Sequence, residues 1–174
     1  MLKVESMNFD NIKHLIVIVL MVLLAVFIPD YYGTTGWLIV MAVIGILFVF
    51  NLSIRKNPNF KDYFIGKFNF LTNKYSMEME FDLSQPLLIE KMKEVLISSG
   101  FKLMHVDEQK GIISASSSIS WYSWGENIYI EMDADNDKTS LKLTSACLLQ
   151  IYDWGKNKRN LQKISREFEK SLTI

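Results

Sequence analysis

Two uncharged apolar runs near the N-terminus constrain this chain more than any other feature. Leu15 to Ile28 reads LIVIVLMVLLAVFI, with no charged residue and no histidine, and no such residue lies between Tyr31 and Ser53 either. All 19 Lys and Arg residues fall outside positions 14 to 54. Twelve residues of the first run are Leu, Ile, Val or Phe. At roughly −0.3 to −0.6 kcal/mol each they favour insertion into lipid by several kcal/mol, and no central charge, worth about 3 kcal/mol, opposes them. Counted from Ile12 the run reaches 17 residues, at the short end of what spans a bilayer, with Lys13 snorkelling to the headgroups. The second run, Trp37 to Leu52, is interrupted only by Asn51. A buried core helix would show a polar face, and neither run has one. A signal peptide would need a small-residue cleavage site, for which AVFIPDYYG is a poor match, and the second run would anchor the chain regardless. The expectation is a two-helix transmembrane hairpin: helices at 15–28 and 37–52 joined by an external turn at 29–36.

That turn, PDYYGTTG, has no Lys or Arg, and Tyr31, Tyr32 and Trp37 suit an interfacial aromatic belt. Lys3 and Lys13 precede the first run, and Arg55, Lys56 and Lys61 follow the second. The positive-inside rule then places both termini in the cytoplasm of a multi-pass protein of the cell membrane. The bilayer is the first expected partner, and residues 1–14 form a cytoplasmic N-terminal segment.

Zero net charge hides an uneven layout. Residues 53–74 carry five basic groups against Asp62, whereas residues 75–174 carry 12 basic and 15 acidic ones. Within the basic juxtamembrane segment Phe60, Tyr63, Phe64, Phe68 and Leu71 recur at helical spacing, with Lys61 and Lys67 between them. Lys61, Phe64, Lys67 and Phe68 are therefore candidates for contact with the inner leaflet. The alternative is a linker or a first element that packs on the following domain. The single cysteine, Cys147, excludes an intramolecular disulfide and fits a reducing compartment.

From residue 75 the pattern becomes that of an α+β domain. Tyr75, Met77, Met79 and Phe81 alternate with polar residues, as in a half-buried strand. Ser84, Pro86 and Gly100 bracket a helix whose apolar stripe is Leu88, Met92, Val95 and Leu96. Four more strands are expected, over 101–106, 112–118, 127–133 and 139–148, with Ile128, Ile130 and Met132 pointing inward. A helix over 157–171 follows. The order β-α-β-β-β-β-α implies a two-layer sandwich. It resembles one repeat of the TATA-box-binding-protein fold and, more loosely, the helix-grip folds, and neither likeness fixes a function.

Two loops share a pattern: Ser123-Trp124-Gly125-Glu126 and Asp153-Trp154-Gly155-Lys156. In a functional reading they meet, and Trp121, Trp124 and Trp154 line a ligand site with Glu126, Asp153 and Lys156. In a structural reading the glycines make turns, the tryptophans cover the sheet edge, and Asp153 or Asn157 caps the last helix. WYSWGE with the downstream DWGKNKRN resembles a group of small uncharacterised bacterial membrane proteins, over residues 75–172. The resemblance implies a shared domain and transfers no role.

Other motifs add little. The acidic DADND segment lacks the Gly and Glu of a calcium loop and reads as a hairpin turn. No HExxH, CxxC, GxSxG or phosphate-binding glycine loop occurs, so the residues name no reaction, cofactor or metal. Basic residues crowd the last helix, but the domain as a whole is acidic, which argues against nucleic acid. The leading expectation is a membrane-tethered interaction or sensing module, with a protein partner. The rival is a small-molecule or lipid-binding domain, enzymatic or not, built on the Trp loops.

Overall fold

A computed structural model describes residues 7–66, 72–119, 123–135, 138–147 and 153–173. The chain divides into two units, Met1–Ser53 and Ile54–Ile174. The first consists of helix α1, Met7–Ile54, which runs to the second unit's first residue and is kinked at Gly33 (φ 59°, ψ −141°). Only glycine adopts that backbone without strain. Its part from Tyr32 to Ile54, 23 residues of mean hydropathy 2.5, is long and apolar enough to cross a membrane. At 1.5 Å per residue it reaches roughly 35 Å, against a hydrocarbon core of about 30 Å. Most of its large apolar side chains are exposed, Leu38 and Ile46 each being 68% exposed.

The second unit is the α+β domain. A 3-10 turn at Pro58–Phe60 and a short helix α2 (Lys61–Ile65) precede strand β1 (Lys74–Phe81) and helix α3 (Gln85–Ser98). Strands β2 (Lys102–Asp107), β3 (Ile112–Ser116), β4 (Glu126–Asp135) and β5 (Lys138–Cys147) follow, and helix α4 (Lys156–Leu172) closes the domain. All five strands pair antiparallel in the order β1-β5-β4-β3-β2. The α+β class and the element order agree with the sequence pattern, with each expected strand shifted by no more than two residues at either end.

Local chemistry explains the boundaries. Helix α3 ends because Gly100 turns left-handed (φ 85°). The amide of Phe101 then bonds back to Leu96 and that of Gly100 to Ile97, the paired bonds of a Schellman stop. Ser84 stands at the N-cap position of α3 but makes no side-chain capping bond. The main core lies between the sheet and the two long helices. It contains Leu88, Met92 and Leu96 of α3, Ile128, Ile130 and Met132 of β4, Leu141 and Leu143 of β5, and Leu161, Ile164 and Phe168 of α4. Tyr75, Met77, Met79 and Phe81 of β1 pack against it, as alternation requires. The opposite face carries a smaller apolar cluster of Ile54, Phe64, Tyr129 and Ala146, with Phe60 and Ile65 beside it.

Candidate functional site

Antiparallel pairing brings several loops to one end of the sheet. Lys74 faces Ala146, Glu126 faces Cys147, and Ser116 faces both Asn127 and Lys102. The two Trp-Gly loops meet there. Glu126 opens β4 on the helix side, and its carboxylate is fully buried. Lys156, first residue of α4, places its ammonium 3.2 Å from Oε2. The same oxygen accepts from Ser117 Oγ at 2.5 Å and from Asn160 Nδ2 at 3.2 Å. Ser123 Oγ donates to the other carboxylate oxygen and accepts from the Gly125 amide at 2.9 Å and from Lys156 Nζ at 3.2 Å. A buried carboxylate survives only when paired and hydrogen-bonded, and this one is both.

On the other face Arg55 enters the network. Its guanidinium donates to Asn127 Oδ1 (3.1 Å) and to the carbonyls of Trp124 (3.0 Å), Ser117 (3.0 Å) and Glu126 (3.2 Å). Asn127 Nδ2 answers with bonds to the Arg55 carbonyl (3.4 Å) and the Tyr129 hydroxyl (2.9 Å). Burial lowers the arginine pKa, which Glu126 and Tyr129 oppose. The same desolvation pushes the Tyr129 phenol up to about 12, against the bond from Asn127. Gly125 (φ 91°) makes the arrangement possible: a Cβ there would sit 2.5 Å from the Arg55 guanidinium.

The second loop is a helix start. Asp153 accepts from the amides of Gly155 (3.0 Å) and Asn157 (2.9 Å), satisfying donors that a helix N-terminus leaves open. Trp154 and Gly155 are both left-handed (φ 51° and 72°). Asn157 is buried, bonded to Ser145 Oγ at 2.7 Å and to the Asn73 carbonyl at 3.0 Å. Trp124 and Trp154 remain 47% and 67% exposed.

The structure thus joins Glu126 to Lys156 and puts Asp153 to use as a cap. Trp121 lies outside the described residues. The polar groups converge on one another rather than on a cavity. Ser123 beside Lys156 has the outline of a Ser-Lys pair, and both donate to the Glu126 carboxylate. A cleft with room for about one water molecule, about 10 Å³, adjoins the outer-face part of the network, lined by Arg55, Met104, Ser114, Asn127 and Tyr129 among others.

The expected leaflet contact needs correction at Lys61 and Phe64. Phe64 is fully buried in the cluster on the sheet's outer face, and Lys61 is ion-paired with Glu131 of β4. The hydrophobic effect draws the aromatic spacing of 60–65 onto the sheet, so this stretch is the domain's first packed element. Lys67 and Phe68 lie outside the described residues. Cys147 and His105 do not meet, because β4 and β3 separate β5 from β2. Burial pushes the Cys147 thiol up to about 12, against the Asn73 amide, which donates to its sulfur at 3.2 Å and favours the charged form. Arg55, Asn127, Ser117 and Asn160 carried no sequence signal beyond their residue type, since each bridges positions distant in the chain.

No family model matches this chain. No curated protein matches it either. Among solved structures, the crystal structure of Ara h 8.0201 is similar at 9% sequence identity and a TM-score of 0.46, over 59% of this chain and 99% of that one. Nothing about function follows from a likeness at that level.

Proposed function

We propose that this protein is membrane-anchored and that its α+β domain is a non-enzymatic interaction or sensing module held beside the inner leaflet. The observation that carries the reading is the exposed apolar stretch Tyr32–Ile54, which ends at the residue where the domain begins. Arg55 follows at once and is built into the domain by four hydrogen bonds. Anchor and domain are therefore contiguous in the sequence. The apolar run at 15–28 and the flanking Lys and Arg residues support two spans with both termini in the cytoplasm. Tethering of this kind raises the local concentration of a partner without new contacts.

The small-molecule reading needs a concave site with polar groups directed into it. Glu126, Lys156 and Asp153 instead engage protein groups, which favours the interaction reading. Element order alone underlies the further likeness to one TATA-box-binding-protein-like repeat or to a helix-grip fold.

The test is extraction of membranes with alkaline carbonate, followed by protease treatment of intact cells expressing a C-terminal tag. Retention in the pellet with a protected tag is expected. Release into the supernatant, or loss of the tag from outside, overturns the reading. Crosslinking of the full chain before detergent extraction should capture a reproducible protein partner, and a blank result counts against the interaction role.

A further inference from the structure

We propose that the end of the domain bearing Ile119, Trp124 and Trp154 seats on the headgroup region of an anionic bilayer. The inference rests on the membrane reading and deepens it by naming the surface and its partner.

Three observations place that surface. First, position: Arg55 is the residue after the apolar stretch, and its guanidinium holds the Ser117 and Trp124 carbonyls. Ser117 and Trp124 therefore lie within one side chain's reach of Arg55, the residue that follows the apolar stretch in the sequence. Lys156 Nζ, bonded to Ser123 Oγ at 3.2 Å, ties the Trp154 loop to the same place. Second, character: Ile119 is 60% exposed, and the two tryptophans are half to two-thirds exposed. Tryptophan prefers the headgroup region, where its ring is buried and its N–H stays wet. Third, charge: Lys56, Lys158 and Arg159 are exposed at this end. The acids of the two loops are engaged, Glu126 with Lys156 and Asp153 with the α4 amides. Exposed cations interleaved with tryptophan match a surface of anionic lipid.

The experiment uses the full chain in vesicles. The four tryptophans are Trp37, Trp121, Trp124 and Trp154, so a Trp37→Phe, Trp121→Phe variant leaves the two of interest as emitters. Its fluorescence is compared in phosphatidylcholine–phosphatidylserine vesicles with and without lipid brominated near the headgroup. A drop in emission with the bromolipid is expected, with iodide quenching weaker than in detergent. Changing Lys56, Lys158 and Arg159 to Gln should shrink the bromolipid effect in anionic vesicles toward its value in phosphatidylcholine alone. If the emitter variant loses its native circular dichroism, the wild type compared with Trp124→Phe, Trp154→Phe gives the same quantity by difference. Emission untouched by bromolipid overturns the proposal: iodide access would leave the loops in water, and protection from both quenchers would place a protein there. Flotation separates the two readings. A chain that floats with vesicles while its tryptophans ignore bromolipid refutes this inference alone, and one that does not float refutes the anchoring as well.

Discussion

The loops Ser123-Trp124-Gly125-Glu126 and Asp153-Trp154-Gly155-Lys156 both set an exposed tryptophan and a left-handed glycine before a charge that turns inward. The two inward charges find each other at 3.2 Å. The glycines answer different needs. At Gly125 the requirement is space as well as backbone angle, because the Arg55 guanidinium lies against it. At Gly155 the nearest group to an added Cβ is Arg159 Nη1, at an ordinary 3.6 Å. One motif spelled twice therefore encodes a long-range clamp in one place and a local helix start in the other. Substitutions can separate them.

The largest effect is expected at the pair the loops share. Lys156→Met removes the only cation bonded to a carboxylate with no solvent exposure, among the described residues. Breaking such a pair from one side typically costs 3–5 kcal/mol, a large part of a stability of about 5–15 kcal/mol. Adding Glu126→Gln should recover part of the loss, because the uncompensated charge disappears. Chemical denaturation of the full chain in detergent measures both. A single-mutant loss below about 1 kcal/mol would mean that the loops are joined by something else. Gly125→Ala comes next, at about 2–3 kcal/mol: the guanidinium has to withdraw, and charged hydrogen bonds are worth about 1.5–3 kcal/mol each.

The α+β domain was legible because its signals are local. Alternation in 75–81, the Ser84-Pro86-Gly100 bracket and the stripes of both long helices each follow from a period or a cap. The site was half legible. Pattern alone could pair the Trp-Gly loops and put Glu126 near Lys156. It could not show that Ser117, Ser123 and Asn160 would close the carboxylate off, since nothing local marks a serine as one that reaches a residue nine positions away. Arg55 read only as a flanking positive charge, and its partners lie 62 to 72 positions along the chain. The aromatic spacing around Phe64 was real, but periodicity says that a face is apolar and leaves open whether lipid or the domain's own sheet covers it.

The clamp side of the comparison also predicts a pH dependence. Tyr129 has a folded pKa near 12 against an ordinary 10. The unfolded chain gives up the phenolic proton first, so this contribution is whole below pH 10 and is lost as pH rises toward 12. The loss amounts to about 2 kcal/mol by pH 12. Tyr129→Phe should flatten the stability curve in that window relative to wild type. An unchanged slope would show that the phenol is more hydrated than its burial implies. Cys147, raised by burial in the same direction, should resist thiol reagents at neutral pH until the domain unfolds.

The smallest effect discriminates best. Gly155→Ala introduces a Cβ into an open left-handed position and should cost about 1 kcal/mol. Gly155→Asn should cost less still, because asparagine tolerates that backbone region and the space is there. At Gly125 the same exchange should bring no relief: asparagine fits φ 91° no better than it fits beside a guanidinium held by four bonds. The measurement is the Ala-to-Asn difference at each site in thermal melts of the full chain. A gain at 155 with none at 125 confirms that backbone angle governs one loop and crowding the other. Equal gains would mean that Arg55 yields readily and that the clamp is looser than its hydrogen bonds suggest.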